Sequence, residues 1–402
     1  MGTRPAAVIF IFVLVVMDIL AMGIIIPVLP KLVERFMGGD TRSAAEVYGY
    51  FGTAWGLMQF VSMPIIGMLS DRFGRRPVIL ISCIGMGLDY FLMALAPSLA
   101  WLFVGRLISG ITAANISTAF AYITDVMPPE KRAGAFGMMG AAFGLGFVLG
   151  PALGGVLGGI EPRLPFWVAG VLALVNAAYG YFVLPESLPK ERRAAFAWKR
   201  ANPLGGLKLL RSHPELFGLA TVMFLMQLAH AVLPSVAVLY MGYRYGWDEL
   251  AVGLVLAGVG ACGMIVQGGL VRPVVKRIGE RRALAIGLLF GSLGFALYGL
   301  APVGWVFLAA IPVMSVWGFA GPSAQALMTQ RVEPTEQGQL QGAIASIMSL
   351  SGVVGPGLFT QTFAASIGAN APIHLPGSAF LVAGTLLLLA LAIAWRATRA
   401  RG

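Results

Sequence analysis

Three ionisable side chains stand where hydrocarbon would be expected: Asp18 in VMDILAMG, Asp89 in GLDYF and Arg106 in GRLISG. A charge in the middle of an apolar helix costs on the order of 3 kcal/mol on insertion scales, so its presence points to function. A carboxylate placed there has two chemical uses. It can take up a proton, because desolvation disfavours its charged form, or it can bind a cationic group. One carboxylate doing both in turn exchanges protons for cargo. Asp18 lies about 12 residues into its apolar run, roughly 18 Å at 1.5 Å per residue, near the middle of a bilayer. It has no partner beside it in sequence, which makes it the stronger candidate for the proton or cation site. Asp89 and Arg106 fall in consecutive runs joined by a few residues, so they share a depth in antiparallel neighbours and could pair. That pair reads either as a transport site or as a static ion pair tying two helices.

The elements that must position these groups follow from composition. Of the 402 residues, 58% are hydrophobic and 11% charged, less than half the charged share of a soluble protein. The apolar residues fall in blocks of about 20, long enough to cross a hydrocarbon core of about 30 Å as helices. Twelve spans are predicted, over 6–29, 46–69, 78–97, 100–122, 133–157, 164–184, 215–241, 248–271, 283–301, 304–329, 337–364 and 376–395. The first block is too long for a cleavable signal peptide and is bounded by Pro30. Cys83 and Cys262 fall inside spans, so no disulfide framework is expected.

The net charge of +11 raises the question of nucleic acid. If the N-terminus is cytoplasmic, 22 of the 28 Lys and Arg lie in the tails and in the loops on that side. The opposite side holds Lys31, Arg35, Arg42, Arg163 and Arg244. This is the positive-inside pattern, so the basic character is orientation and nucleic-acid binding is not expected. The longest connection divides the spans six and six. It predicts a six-helix bundle over 1–190, a central cytoplasmic loop over 191–214 and a second bundle over 215–402. A shift of 205 residues aligns Gly74 with Gly279, Arg76 with Arg281, Pro129 with Pro334, Gly137 with Gly342 and Gly150-Pro151 with Gly355-Pro356. Two parallel repeats with a path between them are the expected architecture: an all-α polytopic membrane protein of 12 transmembrane helices in two six-helix bundles.

Two further stretches carry a pattern. GMLSDRFGRRP places Gly67, Ser70, Asp71, Arg72, Gly74, Arg75 and Arg76 in one short hinge between apolar runs. The glycines permit close approach and a tight turn. Asp71 can accept charge-assisted hydrogen bonds from an arginine of the loop or from helix N-termini opposite. Such contacts form a latch that breaks when bundles rock, or the loop only fixes topology. GAAFGLGFVLGPALGG brings Gly144, Gly146, Gly150, Gly154 and Gly155 round Pro151 on a small-residue stripe suited to close helix packing. Gln59, Asn115, Gln227, His230, Gln267 and Gln325 are cavity candidates or helix–helix glue, and Trp55 and Trp317 could stack on a planar ligand.

These segments together resemble the 12-helix tetracycline/proton antiporters of the major facilitator superfamily. The hinge looks like that superfamily's signature loop. VMDILAMGIIIPVLP, GLDYF, GRLISGITAA, GAAFGLGFVLGPALGG, the run from Gln227 to Gly260 and that from Gln337 to Thr360 are similar to this family in particular. The resemblance implies the major facilitator fold, gating by Asp71 and Arg75, a leak-sealing role for the glycine stripe, and parts in transport for Asp18, Asp89 and Arg106. It also implies a bacterial inner-membrane location with both termini cytoplasmic, and a monomer that works without a cofactor or resident metal. The expected partners are lipid, protons and an amphiphilic drug, with tetracycline as a metal chelate within that class. The family carries a histidine in span 8 and an aspartate in span 9, where this chain has Gly263 and Gly291. Proton coupling would then rest on the first half.

Three functions compete at this stage. The first is a proton-coupled exporter of amphiphilic drugs working by rocker-switch alternating access, and the second a proton-coupled uptake or metabolite carrier. The third, a membrane enzyme or receptor, lacks a His/Cys metal cluster, a phosphate-binding loop, a nucleophile elbow and an extramembrane domain to house them.

Overall fold

The computed structural model describes residues 5–113, 115–195, 202, 204–207, 209–210, 213–333, 336–369, 371 and 373–399. Much of the connection over 191–214 therefore lies outside the described residues, as does Pro334. Twelve helices are long and apolar enough to span a membrane. They are α1 (Val8–Phe36), α2 (Thr41–Phe73), α3 (Arg75–Leu95), α4 (Leu99–Val126), α5 (Glu130–Ile160), α6 (Leu164–Val183), α7 (Leu216–Tyr245), α8 (Glu249–Ile278), α9 (Glu280–Leu300), α10 (Gly304–Thr329), α11 (Gln337–Ile367) and α12 (Ser378–Thr398). No strand occurs among the described residues. The chain is a multi-pass, all-α membrane protein.

The predicted spans match these helices, with one difference of substance at Pro30. That residue does not end α1. The break comes at a turn over Ile26–Val28, where Pro27 lacks the N–H that would continue the ladder and two i→i−3 hydrogen bonds close the backbone instead. Helix resumes at Leu29, with Pro30 in the first turn of the new segment, where its missing N–H has no intrahelical partner to lose. Other helices depart from regularity too. In α8, Ile265–Leu270 winds as a π-helix, and in α10, Val316–Phe319 tightens to a 3₁₀ turn. In α7 the ladder is interrupted at Ala231.

Contacts group the chain into two compact units. The first holds residues 1–32, 54–203 and 248–260; the second holds 33–53, 204–247 and 261–402. Within the first unit, the glycine stripe of α5 meets two helices. Gly146 lies against Ile19, Gly150 against Gly23, and Gly154 against the Ile24 backbone, so α1 and α5 touch nearly backbone to backbone. A quarter-turn round α5, Gly155 faces Glu249 and Gly253 at the start of α8. Pro151 is buried within the continuous helix, and Gly144 is half-buried. Gly140, by contrast, has open space beside it. In the second unit, Gly355 packs on Ala231 and Pro356 on Gly52.

The repeat seen in the sequence has a backbone counterpart. Gly74 (φ 105°, ψ 157°) and Gly279 (φ 80°, ψ 159°) share a conformation that L side chains rarely adopt, and each sits immediately before a helix. The arginines two residues later match as well. Arg76 lies 5.4 Å from the Tyr181 ring of α6, and Arg281 lies 5.4 Å from the Trp395 ring of α12. Each arginine thus stacks on an aromatic side chain near the end of the last helix of its repeat, a cation–π contact.

The glycine contacts set a stability test. A methyl group at position 150 would stand 2.6 Å from the Gly23 Cα, and backbone cannot yield as a side chain would. Gly150→Ala is expected to cost about 1–3 kcal/mol by overpacking, while Gly140→Ala, facing open space, is neutral or slightly stabilising. Thermal unfolding of the two variants in detergent checks the difference.

Candidate functional site

Asp18 is 5% exposed and faces α3 and α6. The Asn176 Nδ2 of α6 donates to its Oδ1 at 2.8 Å and to the Leu14 carbonyl at 2.9 Å, so one amide bridges a full turn of α1. The Cys83 sulfur of α3 lies 3.6 and 3.9 Å from the two carboxylate oxygens. Ile11, Leu14, Val15, Ile19, Ile79, Tyr122 and Ile123 form the surrounding apolar cluster. An amide and a thiol thus meet the carboxylate within an apolar cluster.

Asp89 is 1% exposed on α3. The pair expected between it and Arg106 is not formed. The Ser109 hydroxyl of α4 donates to Asp89 Oδ2 at 2.6 Å, while Asp89 Oδ1 has no hydrogen-bond partner. Arg106 instead places its guanidinium 5.4 Å from the Trp55 ring of α2, and its buried Nε is also unpartnered. Equal depth put the two residues at one level, as expected. The side-chain directions decide the rest: the residue of α4 that reaches Asp89 is one turn further along, at 109.

The hinge gathers more charge than its own sequence shows. Arg75, 9% exposed, places Nη1 2.5 Å from Asp71 Oδ1 and 2.6 Å from the buried Ser70 hydroxyl. Its Nε donates to Asp125 Oδ2 of α4 at 3.1 Å, and its backbone N–H donates to Glu186 Oε1 at 2.9 Å. The segment after α6 straps across this cluster. The Ser187 hydroxyl donates to Asp125 at 3.0 Å, the Ala194 N–H to the Asp71 carbonyl at 3.1 Å, and Tyr122 to the Pro185 carbonyl at 3.0 Å. Gly74 is needed here twice over, for its positive φ and because a side chain would run into Glu186. Gly67, expected at a close approach, instead has open space beside it within the last turns of α2. Arg72 is exposed and rests on Phe73, and Arg76 donates to the Tyr181 carbonyl.

Of the polar cavity candidates, Gln59 belongs to the first unit and Gln227, His230 and Gln325 to the second. Gln325 donates to Gln341 at 3.2 Å, and the His230 ring lies 5.7 Å from that of Trp317. The side chain of Asn115 lies outside the described residues. Trp317, carried by the 3₁₀ turn of α10, occupies the space a side chain at Gly291 would need. Gly318 of the same turn meets Val266 and Gln267 in the π-helical stretch of α8, so the two irregular stretches pack on each other. Gly263 opens on empty space. Cys83 and Cys262 are both free thiols.

Asn176, Ser109, Asp125 and Glu186 were not anticipated from the sequence. Asn176 carried a readable signal, a lone carboxamide in the apolar run VLALVNAAYG. The acids at 125 and 186 sit at span ends, where charge is ordinary. Their geometry generates a ranking: the Asp125 side chain is 20% exposed and that of Asp71 46%, so solvent screens the Asp71 pair more. Asp125→Asn is expected to lower stability by about 1.5–3 kcal/mol, the worth of hydrogen bonds to a charged group. Asp71→Asn costs less than about 1 kcal/mol, as for exposed pairs. Thermal unfolding at two salt concentrations checks both the order and the screening.

The sequence profile of the Major Facilitator Superfamily matches residues 11–356 and, in a second overlapping match, 273–401. The class C tetracycline resistance protein of Escherichia coli is 37% identical over 385 residues, covering 96% of this chain and 95% of its own. The class D tetracycline resistance protein of Salmonella ordonez is 33% identical, with 97% of each chain covered. Among solved structures, the human organic anion transporter MFSD10 (TETRAN) superposes with a TM-score of 0.73 at 24% identity, covering 98% of this chain and 100% of its own. A bacterial homolog of the human lysosomal transporter Spinster, inward-facing and occupied, gives 0.77 at 16% identity, covering 99% of this chain and 98% of its own. These two likenesses establish the fold. The relatives are transporters rather than enzymes. The chain belongs to the Major Facilitator Superfamily and, within it, to the family of the tetracycline resistance proteins.

Proposed function

We propose that this transporter exports an amphiphilic, planar drug in exchange for protons across a bacterial inner membrane, as a monomer with both termini in the cytoplasm. The observation that carries the reading is the pair of buried carboxylates, Asp18 and Asp89, bonded to an amide, a thiol and a hydroxyl. A carboxylate with neutral donors can take up a proton without stranding a buried cation, whereas a tight ion pair would resist it. Arg106, held by the face of Trp55, then supplies positive charge near Asp89 without neutralising it by direct contact.

The remaining parts take roles that suit alternating access. The cluster of Asp71, Arg75, Asp125 and Glu186 is a latch at the end of the helices where the long connection leaves α6. Contacts worth about 1–3 kcal/mol bias a two-state equilibrium by tenfold or more, yet can break in each cycle. The glycine contacts of α5 with α1 and with the start of α8 leave no room for water, which suits a seal against proton leak. On the substrate side, His230, Gln227, Gln325 and Trp317 offer an uncharged, aromatic surface. Tetracycline as a metal chelate is one member of the drug class, and Gly263 and Gly291 contribute no ligand atoms to such a chelate.

Everted membrane vesicles with an imposed pH gradient test this function. Drug accumulation that collapses with a protonophore is expected, and Asp18→Asn and Asp89→Asn should each reduce gradient-driven accumulation at least a hundredfold. Uptake confined to right-side-out vesicles would make the protein an importer of metabolites instead, and full coupling in the Asp18→Asn variant would remove that residue from the mechanism.

A further inference from the structure

The amide that holds Asp18 is only half used. Asn176 is fully buried on α6, and its Nδ2 spends both hydrogens, on Asp18 Oδ1 at 2.8 Å and on the Leu14 carbonyl at 2.9 Å. These two acceptors fix the identity of the nitrogen and the plane of the amide. The other end of that plane, Asn176 Oδ1, is buried and accepts no hydrogen bond. A buried acceptor without a donor costs about 1–3 kcal/mol. While Asp18 is ionised it carries only lone pairs, so its second oxygen cannot satisfy Asn176 Oδ1.

One proton supplies the missing donor. We propose that Asn176 is the positioning residue of the Asp18 proton site: on protonation, the Asp18 hydroxyl donates to Asn176 Oδ1 while Asn176 Nδ2 still donates to the other Asp18 oxygen. The result is a closed acid–amide ring of two hydrogen bonds. The proton arrives from solution and stays on the carboxyl oxygen; no other bond changes. The second oxygen reaches its new partner by rotation about the Asp18 Cβ–Cγ bond, because the Leu14 bond anchors the amide. Proton uptake therefore pulls the carboxyl into line with α6, and proton release turns it loose toward Cys83. A hydrogen-bonded aspartate becomes a two-position switch.

Other groups also stand near Asp18. From α3 come the Cys83 thiol, a weak donor, and Tyr90, which also feels the charges of Asp89 and Arg106. From α4 comes Tyr122, whose hydroxyl is spent on the Pro185 carbonyl. α5 meets α1 through Ile19, Gly23 and Ile24, on the side away from Asp18.

This inference rests on the reading of Asp18 as a proton site, and the test separates the two. Infrared difference spectra of the purified protein between high and low pH are expected to show a carboxylic acid band at the low frequency of a doubly hydrogen-bonded carbonyl. That band should vanish in Asp18→Asn, move to higher frequency in Asn176→Leu and return toward its place in Asn176→Gln. In wild type, a side-chain amide band should shift with the same titration. Asn176→Leu should also shift the pH profile of gradient-driven transport, because the amide bonds differently to the acid and to the carboxylate. A merely structural role would lower the rate equally at every pH. An acid band unmoved by Asn176→Leu, or an amide band indifferent to the titration in wild type, overturns the proposal. Should Asn176→Leu fail to assemble, the wild-type and Asp18→Asn spectra alone decide it. Proton-driven transport surviving in Asp18→Asn overturns the functional reading instead, whatever the spectra show.

Discussion

An ionised carboxylate in hydrocarbon is tolerated only where the protein rebuilds part of its hydration shell, and this requirement organises the first unit. Asp18 sits on α1, but the donors it needs come from α6 and α3. Asp89 sits on α3, and its donor comes from α4. Each acid therefore depends on at least one further helix. The bundle can shift only by motions that keep these donors in place or that replace them with a proton. Buried polarity thus couples the packing of several helices to the protonation state of two side chains.

The glycines of α5 matter to the same requirement. Gly146 receives Ile19, the residue after Asp18, and Gly150 and Gly154 admit the next turn of α1. With Ile19 seated against α5, the preceding residue points away from it, toward α3 and α6. A larger side chain at 146 would lift α1 off α5 and swing Asp18 away from Asn176. Close backbone packing and the electrostatics of the carboxylate are one structural problem, solved by placing the smallest residue against the neighbour of the most costly one.

What the sequence displays is set by how local each cause is. The spans were legible because hydrocarbon thickness imposes length and composition on every helix. Asp18, Asp89 and Arg106 stood out because a charge in an apolar run has no local excuse. Their partners were hidden, since a serine or asparagine in a span is cheap enough to be ordinary glue and becomes informative only once the fold shows what it touches. Asp125 and Glu186 were hidden for the opposite reason, lying at helix ends where acids are unremarkable. The expected Asp89–Arg106 pair shows the limit of depth arguments: rise per residue places two groups at one level, but rotation about each helix decides whether they meet.

The two repeats show which constraints outlast sequence divergence. Gly74 and Gly279 keep one backbone conformation because a positive φ excludes other residues whatever surrounds it. The arginines at 76 and 281 still find an aromatic ring, although tyrosine serves one and tryptophan the other. The charge cluster is not repeated: Lys276 stands where Asp71 would be, and Lys276, Arg277, Arg281 and Arg282 put basic residues on both sides of the turn. A cluster needs several residues from separate segments at once, so losing one frees the rest to drift. Gly291 carries the same logic into the membrane. Trp317 fills the space beside Gly291, and placing a carboxylate there would require moving its indole. The asymmetry between the repeats is therefore held in place by packing as well as by sequence.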